Sequence, residues 1–129
     1  MFVRISSMLL RLFFLINLVL GIIFWTNAAP KQVHDFQLIN LHMLVGILFV
    51  VALWIVSAAQ GLKGGSLGLV VGAFAAGLGL AIIGLIQKGT GITPVIATLH
   101  ILFFLGAMGL GEASAARYKK LTAAPAVAK

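Results

Sequence analysis

The chain has 129 residues, 62% apolar and only 9% charged, with a net charge of +7 and no cysteine. A soluble domain carries about a quarter charged residues, so the composition excludes an ordinary soluble enzyme. The absence of cysteine excludes disulfides, thiolate metal sites, iron–sulfur clusters and covalent CxxCH haem attachment.

Four uncharged runs divide the chain: Leu12–Pro30 (19 residues), Phe36–Leu62 (27), Gly64–Gln87 (24) and Gly89–Gly111 (23). Each is near or above the ~20 residues that cross a hydrocarbon core. They predict four transmembrane helices in a single domain over residues 1–129.

The first helix is expected over about 8–26, with Asn17 and Gly21 inside it and Trp25 at an interface. Arg4 and Arg11 ahead of it and the small residues of TNAA after it also fit a signal peptide. The apolar stretch outruns a typical h-region of about 7–15 residues, so a retained helix is expected. The second helix, about 36–59, follows Asp35 as N-cap and places Trp54 near the opposite interface. The third, about 67–87, carries Gly68 and Gly72 as a G-x-x-x-G pair. A second small stripe there runs through Ala73, Gly77, Ala81 and Gly84, and both read as close-packing surfaces. The fourth, about 94–118, starts with Thr93 as cap and Pro94 at the first helical position. A frayed tail is expected over 119–129, ending in the Ala/Pro-rich LTAAPAVAK.

Short connections make consecutive helices antiparallel, so the fold class is an all-α integral membrane four-helix bundle, up-down-up-down. Helices 2 and 4 then run parallel, on a diagonal in the simplest square arrangement. With the N-terminus inside, Arg4, Arg11, Lys63, Arg117, Lys119, Lys120 and Lys129 fall on one side, and only Lys31 and Lys88 on the other. The positive-inside rule then puts both termini in the cytoplasm, as in a bacterial inner (plasma) membrane. The charge is accounted for by orientation and anionic lipid headgroups, not by nucleic acid.

Two histidines stand out. Counted from the expected caps, His42 in NLHMLVG and His100 in TLHILFF are each the seventh residue of their helix, about 9 Å from its start. They lie at one depth on diagonally opposed helices. Ionisable residues within a membrane face the protein interior and are functional candidates. Axial coordination of a metallomacrocycle by both rings gives each imidazole a partner, and imidazole suits iron. His42 and His100 are the candidate metal ligands. A flat macrocycle between them needs small residues at the same depth on the other helices. Gly21, Ala81, Gly84 and, one turn deeper, Gly77 meet that need, with Gly46 on the His42 face. Phe103 and Phe104 extend the His100 face as an apolar lining. Lys31, His34 and Lys88 are candidates to meet the propionates. The competing reading is that each ring simply hydrogen-bonds to a neighbouring helix, on the order of 1 kcal/mol.

One histidine on each of two parallel helices, in LHMLVG and TLHILFF, with glycine at porphyrin depth, resembles a small membrane b-type cytochrome. The resemblance implies haem b, electron transport and exchange with quinol. It lacks a second histidine pair and an acidic quinone-site motif.

Other polar residues read more plainly. His34 beside Asp35 offers two metal ligands at most and reads as a loop histidine. Asn17 is expected to bond across the bundle, and Glu112 to form an interfacial pair with Arg117 or Lys119. The chain has no phosphate-cradling loop, no Ser/His/Asp set and no carboxylate pair, which excludes a hydrolase or NTPase. An electron carrier or a subunit is expected rather than a stand-alone enzyme. The alternative is a non-catalytic structural or pigment-binding accessory subunit of a larger respiratory or photosynthetic complex, each histidine ligating a separate chlorin in the pigment-binding variant; other membrane subunits or further copies of the chain are the expected partners. A transporter is disfavoured, because the spans lack a polar pathway.

Overall fold

The computed structural model describes residues 2–25, 37–90 and 94–123. Four helices make it up: α1 Phe2–Trp25, α2 Gln37–Leu62, α3 Leu67–Thr90 and α4 Pro94–Ala123. All four are long and apolar enough to cross a membrane. The expected caps Asp35 and Thr93, together with Lys31 and His34, lie outside the described residues.

All four helices are longer than expected, α1 and α4 the most, while α2 continues to Leu62 and α3 to Thr90. The α1 helix starts at Phe2, where the Ser6 hydroxyl donates to the Phe2 carbonyl at 3.2 Å. The α4 helix continues past Tyr118 to Ala123, so residues 119–123 belong to it and not to a frayed tail. Lys119–Ala123 contains no helix breaker, and the Thr122 hydroxyl donates to the Tyr118 carbonyl at 3.0 Å.

Consecutive helices pack antiparallel, and α2 and α4 run parallel against each other as the inner pair. The α1 and α3 helices flank that pair on opposite sides. Both ends of the described chain, with the α2–α3 turn, define a terminal end; the other is the distal end. The core fills the terminal half. Leu10, Leu53 and Gly111 meet there, and Ser57 and Ser114 share a 3.0 Å hydrogen bond between buried hydroxyls. Above them, Phe14 stacks on Phe104 at 4.7 Å, and Phe49 closes the cluster at 5.1 Å from Phe104. Toward the distal end the packing loosens: no residue of 37–44 or 94–103 is buried.

The α2–α3 turn is fixed by Gln60, whose side chain is fully buried. Its Nε2 donates to the Ser66 carbonyl and its Oε1 accepts from the Ser66 N–H, both at 2.9 Å. Gly64 sits at φ 74°, a conformation only glycine adopts freely. Ser66 then caps α3, accepting from the Leu69 N–H at 3.4 Å.

Outward faces are apolar, with Leu15, Val19, Ile47, Leu78 and Leu102 among the exposed side chains. A bilayer supplies the solvent such faces need, and helices satisfy the backbone within it. Trp54 stacks on Phe74 at 5.0 Å and donates its indole N–H to the Ala73 carbonyl at 3.3 Å.

Candidate cofactor site

The site is built between the distal parts of α2 and α4. His42 is the sixth residue of α2 and His100 the seventh of α4. The two rings face each other with centroids 6.2 Å apart and planes tilted by 40°. Phe24 of α1 meets the His42 ring edge-on at 5.5 Å.

Hydrogen bonding sets this layer apart. Among the described residues, four buried side-chain polar atoms have no partner: Nδ1 of His42, Nδ1 of His100, and both amide atoms of Asn17. All belong to the distal half, between the phenylalanine cluster and the histidine pair. A polar atom buried without a partner costs about 1–3 kcal/mol, so four together set this layer apart from the satisfied core below it.

The ring spacing of 6.2 Å equals that of two imidazoles on one ion. An ion bound by both imidazoles at about 2.0–2.1 Å from each nitrogen requires ring centroids roughly 6–6.5 Å apart. Two axial ligands suffice for a haem iron. A site made by protein ligands alone needs more, and among the described residues no group of three or more His, Cys, Asp or Glu side chains exists.

The surrounding small residues divide into two sets. An added Cβ at Gly21 would meet nothing within 4 Å, at Gly84 it would lie 3.8 Å from His100 Cε1, and at Gly46 3.9 Å from Asn17 Nδ2. Gly84 thus borders His100 and Gly46 borders Asn17, while Gly21 lies one turn before Phe24, the residue that meets His42. Gly77 stands apart: its surface is covered by the Trp54 indole and Val50, so it serves helix packing. Ala81 is exposed on the outer face of α3. Phe104 belongs to the aromatic floor beneath the site, whereas Phe103 lies against Gly79 of α3. Lys31, His34 and the Lys88 side chain are outside the described residues.

Two polar residues depart from expectation. Asn17, 4% exposed, forms no interhelical hydrogen bond. Glu112 pairs with Arg11 of α1 and not with a cation on its own helix. The guanidinium donates from Nε and Nη2 to the two carboxylate oxygens, each at 2.7 Å. This fork geometry ties α1 to α4 at the terminal end. Phe14, Phe24 and Phe49 are site elements that the sequence alone did not single out. Their roles depend on how α1 and α2 are rotated against each other.

Comparison with protein-family models, with curated proteins and with solved structures finds no match. The chemistry of the site therefore rests on its own residues.

Proposed function

We propose that this chain is a membrane haem b protein that carries electrons, with His42 and His100 as the axial ligands of one haem. The observation that carries the reading is the facing ring pair at 6.2 Å, each ring with a buried Nδ1 lacking a partner. Bound haem supplies one-electron redox chemistry that no side chain here provides. The protein's part is to hold and shield. The parallel α2 and α4 helices present the two imidazoles at one depth, and Gly21 and Gly84 leave clearance beside them. Phe14, Phe49 and Phe104 close the floor and keep water out.

The same reading puts both termini in the cytoplasm of a bacterial inner membrane, on the seven-to-two distribution of Lys and Arg. Electron exchange would be with quinol or with other membrane subunits, reached through the exposed apolar helix faces.

An optical spectrum tests it. Protein purified in mild detergent from haem-replete cells is expected to show a Soret band and an α band that sharpens on reduction. Both bands are lost in His42→Ala and in His100→Ala. A colourless preparation overturns the proposal and leaves the structural-subunit reading. Absorption in the red, with magnesium in place of iron, identifies a chlorin pigment and overturns the haem assignment.

A further inference from the structure

A second site lies at the terminal end, remote from the histidines. A groove of about 370 Å³ runs along the α2–α3 hairpin, lined by Ala58, Gly61, Leu62, Leu67, Val70 and Phe74. Its shape is fixed. Gly61 brings α2 close to Val70, where a Cβ would come within 2.7 Å, and Phe74 is held by its stack on Trp54. The span from Leu67 to Phe74 is about 10 Å along the helix, the reach of the upper part of an acyl chain.

Lys63 sits in the turn that closes this groove and is exposed. Its ammonium has no acidic counterpart there. Glu112 is the sole acid among the described residues, and both its oxygens are taken by Arg11. Gln60 pins Ser66 from both sides, so the backbone that carries Lys63 is held beside the groove. An apolar groove beside a turn that carries an unneutralised cation, near the end of two membrane-spanning helices, matches one chemistry. We propose that the groove binds an acyl chain of an anionic phospholipid whose phosphate rests on Lys63.

Trp54 provides a local reporter, since it stacks on the groove wall. The full chain carrying Trp25→Phe, so that Trp54 is the one remaining tryptophan, is placed in phosphatidylcholine nanodiscs. These contain increasing fractions of phosphatidylglycerol brominated on its acyl chains, or of brominated phosphatidylcholine as control. The anionic lipid is expected to quench Trp54 at a lower mole fraction than the neutral one. Lys63→Glu removes most of that preference, about fivefold, the factor matching roughly 1 kcal/mol for one cation near the surface. The substitution is at an exposed turn position, and unchanged helicity checks that the fold is kept. Equal quenching by the two lipids, or a preference that survives in Lys63→Glu, overturns the proposal. The spectrum of the histidine site does not enter this test.

Discussion

Ser57 and Ser114 meet hydroxyl to hydroxyl at 3.0 Å, and their separation in sequence (114 − 57 = 57) nearly equals that of the histidines (100 − 42 = 58). The α2 and α4 helices therefore keep one register from the terminal end to the site. The serine bond is the lower pin of that register, and the imidazole pair is the upper one. Ser57→Ala alone leaves a buried hydroxyl without its partner and is expected to lower stability by about 1 kcal/mol. The Ser57→Ala/Ser114→Ala double variant should cost less than the sum of the two singles. Unfolding in mixed detergent micelles gives all three values, and strict additivity would show that the bond contributes nothing.

Clearance beside the histidines is open to a direct test. Gly21 faces empty space, so Gly21→Leu should fold as well as the parent, judged by helicity and thermal unfolding. If a macrocycle occupies that space, the same variant should lose most of its Soret absorbance. Gly84→Leu should do so more severely, since its first added carbon already lies 3.8 Å from His100. Full haem content in both variants would mean that α1 and α3 do not border the bound group.

The four spans and the matched depth of His42 and His100 follow from hydropathy and helix rise alone, because both are counted along the chain. What could not be read was rotation about each helix axis. At 3.6 residues per turn, Gly84 returns to within ~20° of Ala73, while Gly77 is turned by ~40° and Ala81 by ~80°. Ala73 and Gly77 accordingly face α2, and Ala81 points outward. The same arithmetic separates Phe104, ~40° from His100, from Phe103 at ~60° on the other side, where α3 and Gly79 stand. The Arg11–Glu112 pair joins residues 101 apart, and nearer cations on α4 were the simpler choice from sequence. Only packed helices bring Arg11 within reach.

That ion pair should matter for the packing of α1. Arg11 is 58% exposed and Glu112 39%, so screening limits its contribution to about 0–1 kcal/mol where water reaches it. Arg11→Gln and Glu112→Gln are each expected to lower stability slightly, and the double variant about as much as either single. A loss above ~3 kcal/mol in one single variant would mean that its partner is left as a buried, uncompensated charge.

The turn between α2 and α3 should be the most substitution-sensitive loop of the described structure. Gly64→Ala forces a side chain into a left-handed conformation, at roughly 1–2 kcal/mol. Gly65→Ala should be worse, because a Cβ there runs into the Gln60 amide that fixes the turn. Gln60→Leu removes both bonds to Ser66 and the amide in the way, but the Gln60 carbonyl still lies 2.5 Å from that Cβ, so only part of the Gly65→Ala loss should be relieved, a coupling that a double-mutant cycle measures. Independent, additive losses would place the strain of Gly65→Ala elsewhere.

Asn17 separates an empty site from an occupied one. In the protein alone its amide is 4% exposed with neither atom paired, whereas Gln60, also an amide and fully buried, has both ends satisfied. Replacing an unpaired buried amide by a hydrocarbon of similar size removes a desolvation cost of about 1–3 kcal/mol. Asn17→Leu should therefore raise the stability of the ligand-free protein, while Gln60→Leu lowers it. Thermal unfolding of protein prepared from haem-depleted cells provides the comparison. If Asn17→Leu destabilises that protein as Gln60→Leu does, then the amide has a partner across the bundle, and the layer below the histidines is ordinary core.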